Sequence, residues 1–104
     1  MNWKEINEKW PKAYSLFMSA RFDRLIAYRK FEVPNDYIGD LYDFFDEQGI
    51  IIEIMWYHKD FRMNVWYNKE VKFAGHLNSR QEAEEAAFLK AFEILEEKLR
   101  SEER

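Results

Sequence analysis

The hydrophobic pattern changes its period at Gly49, and this change is the feature that most limits what the chain can fold into. Before Gly49 and after Ser79, apolar residues recur every three or four positions, as on one side of a helix. Between residues 50 and 76 they alternate with other residues, as on one face of a strand. Helical patterns on both sides of a strand pattern predict an α+β fold.

The alternating stretch predicts three antiparallel strands in a meander. Two apolar sets mark the first two strands: Ile50, Ile52, Ile54 and Trp56, then Phe61, Met63, Val65 and Tyr67. Opposed residues of antiparallel strands share a face, so an even-numbered loop must join these sets. Either four residues (58–61) or two residues (Lys59 and Asp60) satisfy this condition. Val71 and Phe73 indicate a short third strand.

The helical stretches complete the expected architecture. Residues 1–34 form an N-terminal helical segment, in which Trp3, Ile6 and Trp10 share one helix face. Asn35 or Asp36 caps the next helix, and Gly49 ends it in left-handed geometry. Ser79 and Glu82 form a capping box at the start of the C-terminal helix, in which alanines allow close approach to a sheet. We therefore expect a single domain, 1–104. Within it, residues 35–100 form an α-β-β-β-α unit, and the C-terminal helix covers the three-stranded antiparallel sheet.

Composition excludes several classes of protein. The chain has no cysteine, so it has no disulfide, thiolate nucleophile or cysteine-ligated metal site. No apolar run approaches the ~20 residues of a membrane span, and no signal peptide is visible at the N-terminus. Known catalytic and phosphate-binding motifs are absent. We therefore expect a cytoplasmic, noncatalytic protein without a cofactor, a membrane association or a small-molecule substrate.

The charge distribution argues against general nucleic-acid binding. The net charge is −4, and residues 35–49 carry five acidic groups and no basic group. Binding to phosphates depends on clustered lysine and arginine. The local exception is a basic patch in the N-terminal segment: Arg21, Arg24, Arg29 and Lys30.

The start of the C-terminal helix supplies a resemblance that would use this patch. The order helix, three strands, helix and the segment from Ser79 to Ala87, followed by Ala91, resemble the double-stranded-RNA-binding domain. That resemblance implies phosphate contacts from basic residues at the start of the helix. Arg80 is the matching residue that keeps this charge, whereas Glu84 reverses it. A degenerate nucleic-acid-binding domain using Arg80 and the basic patch is thus one alternative function.

Two stretches, 41–49 and 80–95, resemble small phage and prophage proteins of Bacteroidetes whose function is unknown. This resemblance implies a host-interaction or accessory role and no particular activity.

Two further alternatives come from titratable residues. The helix after Asn35 carries an acidic stripe that would mimic nucleic-acid phosphates: Asp36, Asp40, Asp43 and Glu47. His58, with Asp60 and Glu53 near it, would be the centre of a metal-dependent hydrolase. However, His58 and His76 show no recognised ligand spacing, and we expect both to be exposed and no metal to be bound.

The outer face of the sheet is the leading candidate site. If the apolar sets face the helices, five other residues form an outward interface: Ile51, Met55, Tyr57, Arg62 and Trp66. Exposed apolar side chains of this size are typical of protein interfaces. Either this face binds a protein partner, with a homodimer as the leading version, or the N-terminal helix folds over it.

Overall fold

The computed structural model describes residues 1–28 and 37–103, and the side chains of this part except those of residues 23–28 and 37. The fold is α+β, as predicted. In chain order the elements are α1 (Trp3–Lys9), α2 (Pro11–Tyr28), α3 (Tyr37–Glu47), β1 (Ile50–Tyr57), β2 (Asp60–Tyr67), β3 (Glu70–Leu77) and α4 (Arg80–Glu102). The strands form one antiparallel sheet in the order β1-β2-β3.

The turn between β1 and β2 lies one residue earlier than either predicted loop. Tyr57 pairs with Asp60, so the turn consists of His58 and Lys59. His58 has a φ of 57°, and a left-handed residue at the first position of a two-residue turn matches the twist of the strands. The predicted loops were therefore wrong, but the parity was right: Ile54 is opposite Met63, and both belong to the inner face.

The third strand is longer than predicted and contains a bulge. The pairing shifts between Val65 and Trp66, so that Val71 lies opposite Trp66 while Phe73 lies opposite Val65. An extra residue in one strand changes which face the following side chains occupy. Val71 is therefore on the outer face, whereas Phe73 packs against the core.

The last helix lies across the inner face of the sheet and contacts all three strands. The alanines that face the sheet, Ala83, Ala87 and Ala91, are completely buried, and their small size permits this close approach. Phe88 and Phe92 are also buried, on the flank of α4 that meets the other helices. The predicted covering of the sheet by the C-terminal helix is confirmed.

The N-terminal helix packs on the helical side of the domain. The indole of Trp3 stacks on Phe17 at 5.7 Å, and Trp10 stacks on Phe92 at 6.5 Å. Its one fully buried residue, Ile6, belongs to the same core. This arrangement excludes the second alternative for the outer sheet face, because α1 does not cover it.

Two buried carboxylates join α4 to other helices. Glu96 accepts a hydrogen bond from the backbone N–H of Ala13 at 2.9 Å and pairs with Arg100 at 3.1 Å. Ala13 lies in the first turn of α2, where backbone N–H groups have no partner within the helix. Glu96 therefore caps α2 from a position 83 residues away in sequence.

The second buried carboxylate, Glu84, accepts a hydrogen bond from the hydroxyl of Tyr42 at 2.8 Å. Burial of the hydroxyl, the largest cause, and this hydrogen bond to a carboxylate, the second, raise the pKa of Tyr42 well above its ordinary value of 10.0. The pair connects α3 to α4.

Gly49 has a φ of 80°, as predicted for the residue that ends α3. The hydroxyl of Ser79 accepts a hydrogen bond from the backbone N–H of Glu82 at 3.2 Å, but among the described residues the carboxylate of Glu82 makes no return bond to Ser79, so one half of the predicted capping box is present. The predicted caps Asn35 and Asp36 lie outside the described residues.

Candidate interaction surface

The exposed apolar side chains of the outer sheet face are concentrated on β1. Ile51 is 42% exposed, Met55 45% and Tyr57 50%. They lie on the outer side of one strand and form an apolar row that Glu53 interrupts between Ile51 and Met55. Most of the outer side of β2 and β3 is polar, apart from Trp66, Val71 and Ala74. The exposed apolar part of the predicted face is therefore narrower than expected and follows β1.

The other two predicted interface residues support this row from β2. The indole N–H of Trp66 donates to the carboxylate of Glu53, and Trp66 is only partly exposed. The guanidinium of Arg62 lies over the ring of Tyr57 at 4.2 Å from its centre. Stacking of a guanidinium on an aromatic ring holds both side chains in place. The structure thus brings all five predicted residues onto one face.

The free edges of the sheet differ in how they are protected. β3 carries Lys72 in a salt bridge to Glu70 at 2.8 Å and contains the bulge, and both features discourage pairing with another strand. β1 has eight residues, no bulge, no proline and no lysine, and Glu53 is its one charged residue. An edge with this composition is a template for an additional strand.

The register shows which backbone groups of β1 face outward. Because a two-residue turn makes Tyr57 and Asp60 a hydrogen-bonded pair, every second residue of β1 back from Tyr57 bonds to β2. The backbone N–H and C=O groups of Ile52, Ile54 and Trp56 therefore point away from the sheet. Within residues 1–28 and 37–103, no hydrogen bond reaches these groups.

Trp56 is the one residue of this surface that the sequence did not indicate. It belongs to the inner face by parity, yet it is 61% exposed, and its ring contacts Phe61 at 4.9 Å. The helices cover the beginning of β1, where Ile50 is fully buried, better than its end. The available signal was the position of Trp56 next to the turn, at the end of the apolar set.

The two basic residues of the nucleic-acid alternative whose side chains the structure describes are each paired with a carboxylate. Arg21 pairs with Asp40, and Arg80 pairs with Glu84, each at 3.5 Å. The remaining residues of the patch lie outside what the structure describes: the side chain of Arg24, and all of Arg29 and Lys30.

The titratable candidates have other partners. His76 lies 3.1 Å from the carboxylate of Asp60, and the exposed ring of His58 contacts Tyr57 at 4.2 Å. No group of three potential metal ligands occurs in the described part of the chain. Of the acidic stripe, Asp36 lies outside that part and Asp40 pairs with Arg21. Asp43 and Glu47 are exposed on α3.

Comparison of the chain with protein-family models, with curated proteins and with solved structures finds no match. Among the described helices, none combines the length and the apolar character needed to cross a membrane.

Proposed function

We propose that the chain is a noncatalytic protein–protein interaction module that binds its partner through β1. The β1 surface is defined here as the outward side chains of Ile51, Met55 and Tyr57 together with the open backbone edge at Ile52, Ile54 and Trp56. The observation that carries the proposal is the coincidence of the two features, because the exposed apolar row and the unprotected edge lie on the same strand.

The ion pairs and the net charge of the chain favour a protein over a nucleic acid as the partner. Arg21 and Arg80 are already paired with carboxylates, and the chain has a net charge of −4. Phosphate binding would require these ion pairs to be broken, whereas burial of the β1 surface removes apolar area from water at no such expense. The resemblance to small phage and prophage proteins is consistent with a partner from a host cell.

A pair of matched variants tests the proposal. Ile51→Lys places a charge in the apolar row, and Val71→Lys places the same charge at a residue of similar exposure on β3. We expect proteins captured from a cell lysate by the unmodified chain to be retained by Val71→Lys and lost with Ile51→Lys. Circular dichroism should show that both variants remain folded. Equal retention, or equal loss, in the two variants would contradict binding through β1.

A further inference from the structure

We infer that the partner contributes one extended strand, which pairs antiparallel with β1 and carries a basic residue opposite Glu53. This inference rests on the proposed function and specifies the chemistry of the partner. A strand added to a sheet edge is a recurrent mode of peptide recognition, in which the backbone supplies affinity and alternate side chains supply specificity.

The spacing of the open backbone groups selects a strand. Ile52, Ile54 and Trp56 present three N–H and three C=O groups, and successive members are two residues apart along β1. That separation is about 6.6–6.8 Å, which is the repeat of another extended chain. A strand can satisfy all six groups, whereas a helix uses its backbone groups internally.

The side chains of β1 determine the pattern of the bound segment. Seven partner residues, numbered 1 to 7 from its N-terminus, would lie opposite Tyr57 back to Ile51 in antiparallel pairing. Positions 2, 4 and 6 then lie on the inner face beside Trp56, Ile54 and Ile52, so apolar residues are expected there. The exposed indole of Trp56 would be covered by the residue at position 2.

Charge complementarity selects the residue at position 5, which faces Glu53. Glu53 is the one charged residue on β1, and the exposed acids Asp46 and Glu47 precede the strand at the end of α3. No basic residue occurs in the last turn of α3. A lysine or arginine at position 5 is therefore attracted to the carboxylate of Glu53, and an acidic residue there is repelled.

The same features disfavour a second copy of the chain at this edge. Helix α3 packs against β1, so antiparallel pairing of two β1 strands would place both α3 helices on the same side of the joined sheet. Two acidic helices, each without a basic residue in its last turn, would then lie on one side of the sheet. An isolated strand from another protein avoids the repulsion between these helices.

The experiment begins with selection from a displayed library of seven randomised residues between Gly-Ser linkers. We expect enriched peptides to carry apolar residues at positions 2, 4 and 6. Lysine and arginine should exceed aspartate and glutamate at position 5 by roughly two- to fivefold, as expected for one cross-strand charge pair. Selection against Glu53→Lys should reverse the preference at position 5, and selection against Val71→Lys should leave it unchanged. Absence of enrichment, or enrichment without alternation, would overturn the inference.

Amide hydrogen exchange with the most enriched peptide, synthesised and added at saturation, then locates the contact. The N–H groups of Ile52, Ile54 and Trp56 should exchange at least about tenfold more slowly, while those of Glu53 and Met55, already bonded to β2, should not change. If these amides are not protected although Ile51→Lys abolishes lysate capture, the proposed function stands and strand pairing is wrong. Protection that rises with the concentration of the chain alone would identify a second copy and would also overturn the inference. If these amides are not protected and Ile51→Lys does not reduce lysate capture, both proposals fail.

Discussion

Proline substitution at adjacent residues of β1 tests the assignment of its inward and outward backbone groups. Trp56 directs its N–H to the free edge, whereas Met55 donates its N–H to the carbonyl of Arg62 in β2. Proline has no N–H, and its ring occupies the place of the missing hydrogen. Proline is tolerated in an edge strand when that place faces solvent. We therefore expect Trp56→Pro to preserve the sheet and Met55→Pro to disrupt it.

The magnitude is obtained by comparing each proline variant with alanine at the same position, since this removes the contribution of the lost side chain. At position 56 no ladder hydrogen bond is lost, so proline should cost less than about 1 kcal/mol relative to alanine. At position 55 the hydrogen bond is lost, the Arg62 carbonyl loses its partner, and the proline ring enters the ladder. Together these effects should cost about 2–4 kcal/mol.

Thermal and denaturant unfolding of the four variants provides the measurement. A difference of about 1–4 kcal/mol between the two proline effects corresponds to a difference in Tm of roughly 5–30 °C for a domain of this size. Equal proline effects at the two positions would refute the assignment of the outward groups, and with it the register of the proposed added strand. A larger effect at Trp56 than at Met55 would indicate that the edge already has a partner within the chain.

Three other perturbations give further checks. Glu96→Ala leaves the buried N–H of Ala13 without its acceptor and should lower the free energy of unfolding, measured by denaturant titration, by about 1–3 kcal/mol. The control Glu97→Ala, at an exposed position, should have almost no effect in the same titration. Tyr42→Phe removes the hydrogen bond to Glu84 and should destabilise the chain by about 1–3 kcal/mol at neutral pH. The pKa of Tyr42 is raised in the folded state, so the native chain loses this stabilisation as the pH rises above 10.0, the ordinary pKa of tyrosine. The difference in free energy of unfolding between the native chain and Tyr42→Phe should therefore shrink above that pH. A constant difference would contradict the buried pairing. Duplex RNA should show no salt-sensitive binding at low ionic strength, and a strong salt dependence in a fluorescence titration would favour the nucleic-acid alternative.

The alternation of β1 and β2 was sufficient to predict the sheet, because a strand with one buried face has a strongly specified register. The same parity correctly placed Ile51, Met55 and Tyr57 outside. The position of the turn was not predictable to one residue, because moving the turn by one residue leaves every side chain of β1 and β2 on the same face of the sheet. The left-handed conformation of His58 decided it, and histidine has only a weak preference for that geometry.

The parts that the sequence did not reveal depend on contacts between distant segments. The sequence pattern does not distinguish Glu84 and Glu96 from the exposed acidic residues of the last helix, yet both are buried and accept hydrogen bonds from Tyr42 and Ala13 respectively. The exposure of Trp56 depends on how far the helices extend over the sheet, which periodicity along one segment does not report. The choice between a covered and an open outer face likewise required the packing of α1 against Phe92.

The capping of α2 by Glu96 has a consequence for the order in which the chain acquires its structure during synthesis. The ribosome makes α1 and α2 first, but two groups on which they depend belong to α4. One is the carboxylate of Glu96, which caps α2. The other is the phenyl ring of Phe92, against which Trp3, Trp10 and Phe17 pack. The aromatic side chains of the N-terminal helices therefore lack the packing surface that Phe92 provides until α4 has been synthesised. A nascent chain that ends before Phe92 should accordingly be a substrate for chaperones and proteases, and one that includes Glu96 should resist them.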